Sequence, residues 1–130
     1  MMNLEKEEGG RSMAVSIDRW MKEVMAQVDP ARLGMILVHR GVVRATSKEG
    51  EPVEGMNLHY DPSKLEEVVT ELQAREGIGA IKVWINQGRL RVGEDIMVAL
   101  VAGRYRKEVL PVLEELLSRI KREVVREEEF

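Results

Sequence analysis

Helical and strand-like periodicities follow one another unevenly along this chain, and their order limits the folds open to it. "SIDRWMKEVMAQVD" places Ile17, Trp20, Met21, Val24, Met25 and Val28 at helical spacing behind Ser16, a side chain suited to cap a helix start. That helix stops at Asp29, because the residue before Pro30 is pushed out of the helical region. Residues 34–44, "GMILVHRGVVR", are rich in aliphatic and β-branched types and read as a buried strand. Turn chemistry follows at Gly50, Pro52 and Gly55, and residues 56–60 return as the second strand of a hairpin.

Asp61-Pro62-Ser63 opens a second helix, with Leu65, Val68, Val69 and Leu72 as its apolar stripe and Gly77 as its end. "IGAIKVWIN" alternates as a strand, Ile78, Ala80, Lys82 and Trp84 on one face and Ile81, Val83 and Ile85 on the other. "QGRLRVGED" supplies glycine turns, and "IMVALVAG" is the most continuous apolar strand of the chain. The last segment reads as one long amphipathic helix with Val109, Val112, Leu113, Leu116, Leu117, Ile120 and Val124 inward, and Pro111 belongs in its first turn. Three main helices interspersed with hairpins predict an α+β fold with a mixed or antiparallel sheet, not a doubly wound one. The expected organisation is a flexible lead-in at 1–13, one domain at 14–125 and a frayed acidic tail at 126–130.

Composition narrows the function. A net charge of −3 puts no global positive field on the molecule, so nucleic acid is not an expected partner and any anion site must be a local cluster. The absence of cysteine removes disulfides, thiolate metal sites and cysteine nucleophiles, and suits a cytoplasmic protein. No apolar run reaches the roughly 20 residues that span a bilayer. Three places offer cations for an anion: Arg44 after the first strand, Arg104 and Arg106 where the last strand meets the last helix, and Lys121 with Arg122 further along that helix. On a continuous helix Arg106 and Lys121 flank the same face, within roughly 60° of each other. His39 and His59 lack a third partner at metal-ligand spacing, so a metal site is not expected.

The order of these motifs, from about Ser16 to Lys121, resembles the large, catalytic subunit of molybdopterin synthase. The resemblance lies in "GVVR" (Gly41 to Arg44), in "NLHYDPSKLEEVV", in the glycine turn from Gly88 to Asp95, and in the apolar strand and long helix that follow. It implies an α/β-hammerhead-like domain acting without metal or organic cofactor. The reaction implied is sulfur transfer from the thiocarboxylated Gly-Gly tail of a small ubiquitin-like carrier to cyclic pyranopterin monophosphate, in molybdenum cofactor biosynthesis. A homodimer carrying two such chains is implied as the assembly. By position, Arg44 and Arg106 would clamp the phosphate and Lys121 would be the catalytic lysine beside the tail, with His39, Tyr105, Arg122 and Arg126 as further substrate contacts. Tyr105 and His39 stand where the family commonly has histidine and phenylalanine. The family's Pro-x-Trp-Lys segment, with its second lysine, is absent; Glu128 falls at that lysine's position, and Arg126 is the available substitute. A non-catalytic dimer that docks the carrier tail or a phosphorylated pterin is the alternative expectation.

Overall fold

The computed structural model describes residues 15–130, together with the backbone of a two-residue strand pair, β1 (Glu5–Lys6) and β2 (Ser12–Met13). Apart from that pair, the expected lead-in lies outside the described residues. Helix α1 (Ile17–Gln27) starts where Ser16 accepts a hydrogen bond from the Arg19 N–H, and it closes before Pro30 as the sequence requires. After a short 3₁₀ turn come β3 (Met35–Val42), β4 (Gly55–Tyr60), α2 (Pro62–Gln73), β5 (Ile78–Ile85), β6 (Gly88–Arg91), β7 (Asp95–Gly103) and α3 (Arg106–Arg119). A π-helical turn at Ile120–Val124 then leads into β8 (Val125–Glu129). Every strand pairing is antiparallel.

The strands form two three-stranded sheets, ordered β3-β7-β5 and β6-β4-β8. In the first, β7 is central and is covered on both sides. Val98, Leu100 and Ala102 meet Trp20 and Val24 of α1, while Met97, Ala99 and Val101 join Val109, Val112 and Leu116 of α3. Continuous apolarity is what such a two-faced position needs, and it is why "IMVALVAG" does not alternate. Strand β5 alternates as expected from Ala80 onward, but a register shift between Ile78 and Ala80 moves Ile78 to the α3 face, with Ile81.

Four expectations are corrected. Strands β3 and β4 are not a hairpin: β3 pairs with β7, and the long turn-rich connection carries β4 into the second sheet. Helix α3 begins at Arg106, so Pro111 lies in its second turn rather than its first. Helix α2 stops at Gln73, before the turn in which Gly77 takes its positive φ of 82°. The expected acidic tail is largely strand: Val125 to Glu129 pair with Tyr60 to Met56, so the folded unit runs past residue 125. The edge of β4 offers the tail's backbone groups partners in place of water. Residues Glu54 and Gly55 donate to the Phe130 carbonyl, which ties down the last residue.

Candidate functional site

Strand β3 fixes the positions of the sequence candidates. Its start, Met35, lies opposite Gly103, and its end, Val42, lies opposite Asp95. Arg44 follows the Val42 end, where Val43 is buried and its N–H donates to the Glu94 carbonyl while its own carbonyl accepts from Gly93. Tyr105 and Arg106 follow Gly103, at the opposite end. The eight residues of β3 span about 24 Å, so the sheet holds Arg44 and Arg106 far apart within one chain. Helix α3 then runs back along the sheet and carries Lys121 to the Arg44 end, roughly 22 Å along the axis from Arg106 at ~1.5 Å per residue. The expected convergence of all three cations therefore does not occur within the chain. Periodicity around a helix axis put Arg106 and Lys121 on one face; distance along the axis separates them.

Lys121 borders a cleft of about 190 Å³. Gly41, Ile85, Ile96, Met97, Leu117, Ile120 and Val125 give it an apolar wall, and its polar side chains are His39, Lys121 and Glu127. The Lys121 ammonium donates to the Glu127 carboxylate at 3.0 Å. The His39 ring lies against Gly41, where an added Cβ would sit 3.4 Å from Nε2. His39 thus lines the cleft.

The other candidates do not line it. Arg122 is exposed and contacts Glu123 at 3.3 Å. Arg126 is exposed on β8, opposite His59 in the ladder, one residue out of phase with the inward Val125 and Glu127. Tyr105 is exposed and caps α3 without a side-chain hydrogen bond. Arg44 and Arg106 make no ion pair among the described residues and remain available to an anion. Arg104, by contrast, is engaged. Its guanidinium donates to both Glu108 carboxylate oxygens at 3.1 and 2.7 Å, and lies 3.5 Å from Glu76 and 4.9 Å from the Tyr105 ring. Those hydrogen bonds hold the Glu108 carboxyl below its ordinary range and raise the Arg104 guanidinium. Arg119 is locked in the same way by Glu123 and Glu71.

Sequence reasoning missed Glu127. The signal was there: Val125 and Glu127 stand two apart, the spacing that puts both on one face of a strand. It went unused because three consecutive glutamates read as solvated tail.

Among solved structures, the fold is similar to a molybdopterin synthase from Staphylococcus aureus, with TM-score 0.69, 20% identity and coverage of 85% of this chain and 82% of that one. It is also similar to a complex of subunits 1 and 2 of the molybdopterin-converting factor from Helicobacter pylori, with TM-score 0.67, 17% identity and coverage of 87% and 74%. A probable molybdopterin synthase of Haloferax volcanii is 30% identical in a 106-residue alignment that covers 76% of this chain and 41% of that protein. This chain thus spans about two-fifths of that relative's length. At these identities the structural likenesses establish the fold. Residues 14–123 match the model of the MoaE protein family, and by that match across most of its length the chain belongs to it.

Proposed function

We propose that this chain is the catalytic subunit of a molybdopterin synthase, moving sulfur from a thiocarboxylated, ubiquitin-like carrier to cyclic pyranopterin monophosphate. The observation that carries this reading is Lys121 at the border of a largely apolar cleft, at the same end of the first sheet from which the chain continues to Arg44. A thiocarboxylate tail and a phosphate each need fixed cations, and an apolar wall strengthens such contacts by excluding water. Membership of the MoaE family and the two-subunit Helicobacter pylori relative support the reading. Two rounds of transfer install the two sulfurs and leave each carrier as its carboxylate.

Arg106 joins this site from a second copy of the chain. Strand β3 is an edge strand, and Val38 and Val42 on it are exposed. An antiparallel β3–β3 pairing about a two-fold axis, centred near His39, sets Arg44 opposite Gly34 of the partner subunit. Gly34 donates to the Gly103 carbonyl in its own chain, so this position adjoins the turn that leads to Arg106. Edge pairing satisfies backbone groups that water alone would otherwise meet, and a two-fold axis builds the site twice.

The test is complementation. Arg44→Ala and Arg106→Ala homodimers should each lose dithiolene formation from precursor and thiocarboxylated carrier. Random reassociation of the two leaves one intact site in half of the dimers, so about a quarter of wild-type activity should return. No recovery from well-folded mixed dimers would show that the site is not shared. A wild-type protein that binds precursor without forming dithiolene would replace the enzyme reading with the binding-only one.

A further inference from the structure

We infer that Glu127 is a built-in counter-ion for Lys121, occupying its ammonium until an incoming anionic group displaces it. The inference deepens the proposed function, because it rests on Lys121 as the cation that meets the carrier's tail.

The fold places this carboxylate deliberately. The β4–β8 ladder sets Leu58 opposite Glu127, and the alternation of β8 sends Val125 and Glu127 into the cleft while Arg126 and Glu128 stay exposed. Six residues separate Lys121 from Glu127, beyond the reach of any ordinary helical pair. The π-helical turn at Ile120–Val124 makes the contact possible by ending α3 within one wide turn and reversing the chain into β8. Glu127 is the inner partner, its side chain 23% exposed against 63% for Lys121. Among the described residues, the rest of the lining apart from His39 has no polar side chain, so Lys121 is the cation there that compensates Glu127.

Two consequences follow for a ligand. A neutral chain end finds an ammonium already occupied and gains little from it. A carboxylate or thiocarboxylate competes with Glu127 for the same donors, and on winning it leaves Glu127 to turn outward to water. The pair therefore discriminates a charged tail from an uncharged one while weakening its affinity for both, and it keeps the lysine in place between turnovers.

The experiment reads Lys121 directly and does not depend on turnover. Purified full-length protein is treated with trinitrobenzenesulfonate, an anionic amine reagent, or with the uncharged acetyl N-hydroxysuccinimide ester, and labelling of Lys121 is followed by mass spectrometry. Glu127→Gln should raise the ratio of anionic to neutral labelling rates by about tenfold, the order expected from removing one unit charge at ion-pair distance in a half-exposed site. Taking the ratio cancels any change in the basicity of the amine, and Glu127→Asp should stay near wild type. An unchanged ratio in Glu127→Gln overturns the counter-ion role. Binding of a synthetic peptide ending in Gly-Gly then tests the reading beneath it. Glu127→Gln should tighten the free-carboxylate peptide several-fold and leave the amidated peptide unchanged. A raised labelling ratio with no such discrimination keeps the counter-ion and removes the tail from Lys121.

Discussion

The two sheets of this protein are stabilised in different ways. In β3-β7-β5 the central strand is sealed: Val98 through Ala102 have no exposed surface, and helices cover both faces. In β6-β4-β8 the strands are short and polar, with Met56, Leu58 and Leu90 as their buried anchors. The first sheet is held chiefly by apolar burial, whose contribution scales with area. The second is held by main-chain pairing with a few anchors, so it tolerates charged residues at most of its positions. The candidate cleft lies where they meet, lined by Gly41, Ile85 and Met97 of the first sheet and by Val125 and Glu127 of the second.

Truncation of the first sheet should have the largest effect. Leu100→Ala removes a fully buried side chain between β7 and α1, and should cost about 2–5 kcal/mol in urea unfolding, through lost burial and the cavity left behind. The second sheet is sensitive in another way. A methyl group added at Gly55 meets the Leu90 carbonyl oxygen, and the Phe130 ring at 2.6 Å. Leu90 is held in the β4–β6 ladder and cannot retreat, whereas the Phe130 ring, stacked 3.8 Å from the Arg89 guanidinium, can. Gly55→Ala should therefore cost about 1–3 kcal/mol, the usual range for overpacking. Hydrogen exchange should then rise in β4, β6 and β8 while β7 amides keep their protection. Equal loss of protection in both sheets would show that they unfold as one unit and would break the comparison.

The contrast also explains what the sequence disclosed. Strand β5 and the helices α1 and α2 were legible because burial imposes a period on their residues and because Ser16, Pro30 and Asp61-Pro62 mark the helix ends, and β7 was legible as an unbroken apolar run. Strand β8 was not. In "VREEE" one half-buried valine and one half-buried glutamate carry the inward face, too little to outweigh the look of a solvated tail. Pairing was equally hidden, since the partner of β3 is β7, more than fifty residues away, rather than the adjacent β4. Local turn chemistry does not encode such a choice.

For the site, the residue types were legible and their assembly was not. Motif resemblance singled out Arg44, Arg106, Lys121 and His39 as candidates, and the structure brings His39 and Lys121 to one cleft. The placement of Arg106 was misjudged because angular position around α3 says nothing about the strand-length separation that the antiparallel sheet imposes. The separation is what the proposed pairing of two β3 edges is meant to answer.

A smaller effect separates the polar fastenings of the two regions. The helices that cover the first sheet carry Glu23 paired with Lys82, Glu108 with Arg104, and Glu123 with Arg119, and in each pair the hydrogen bond to the cation lowers the carboxyl against the opposing effect of burial. A carboxyl that is more acidic folded than unfolded stabilises the protein above its ordinary value, near 4.5 for Glu108, and that contribution disappears as the pH falls through the lower, folded value. Glu108 also packs against Gly77 at the turn before β5. Glu108→Gln should accordingly destabilise the protein at neutral pH, and the gap to wild type should close as the pH drops below about 4.5 in denaturant titrations at successive pH values. The sign is diagnostic. A gap that held constant into acid would mean that Arg104 gains nothing from the Glu108 charge and that this end of the first sheet is fastened by packing alone, and a gap that widened would mean that the charge opposes folding.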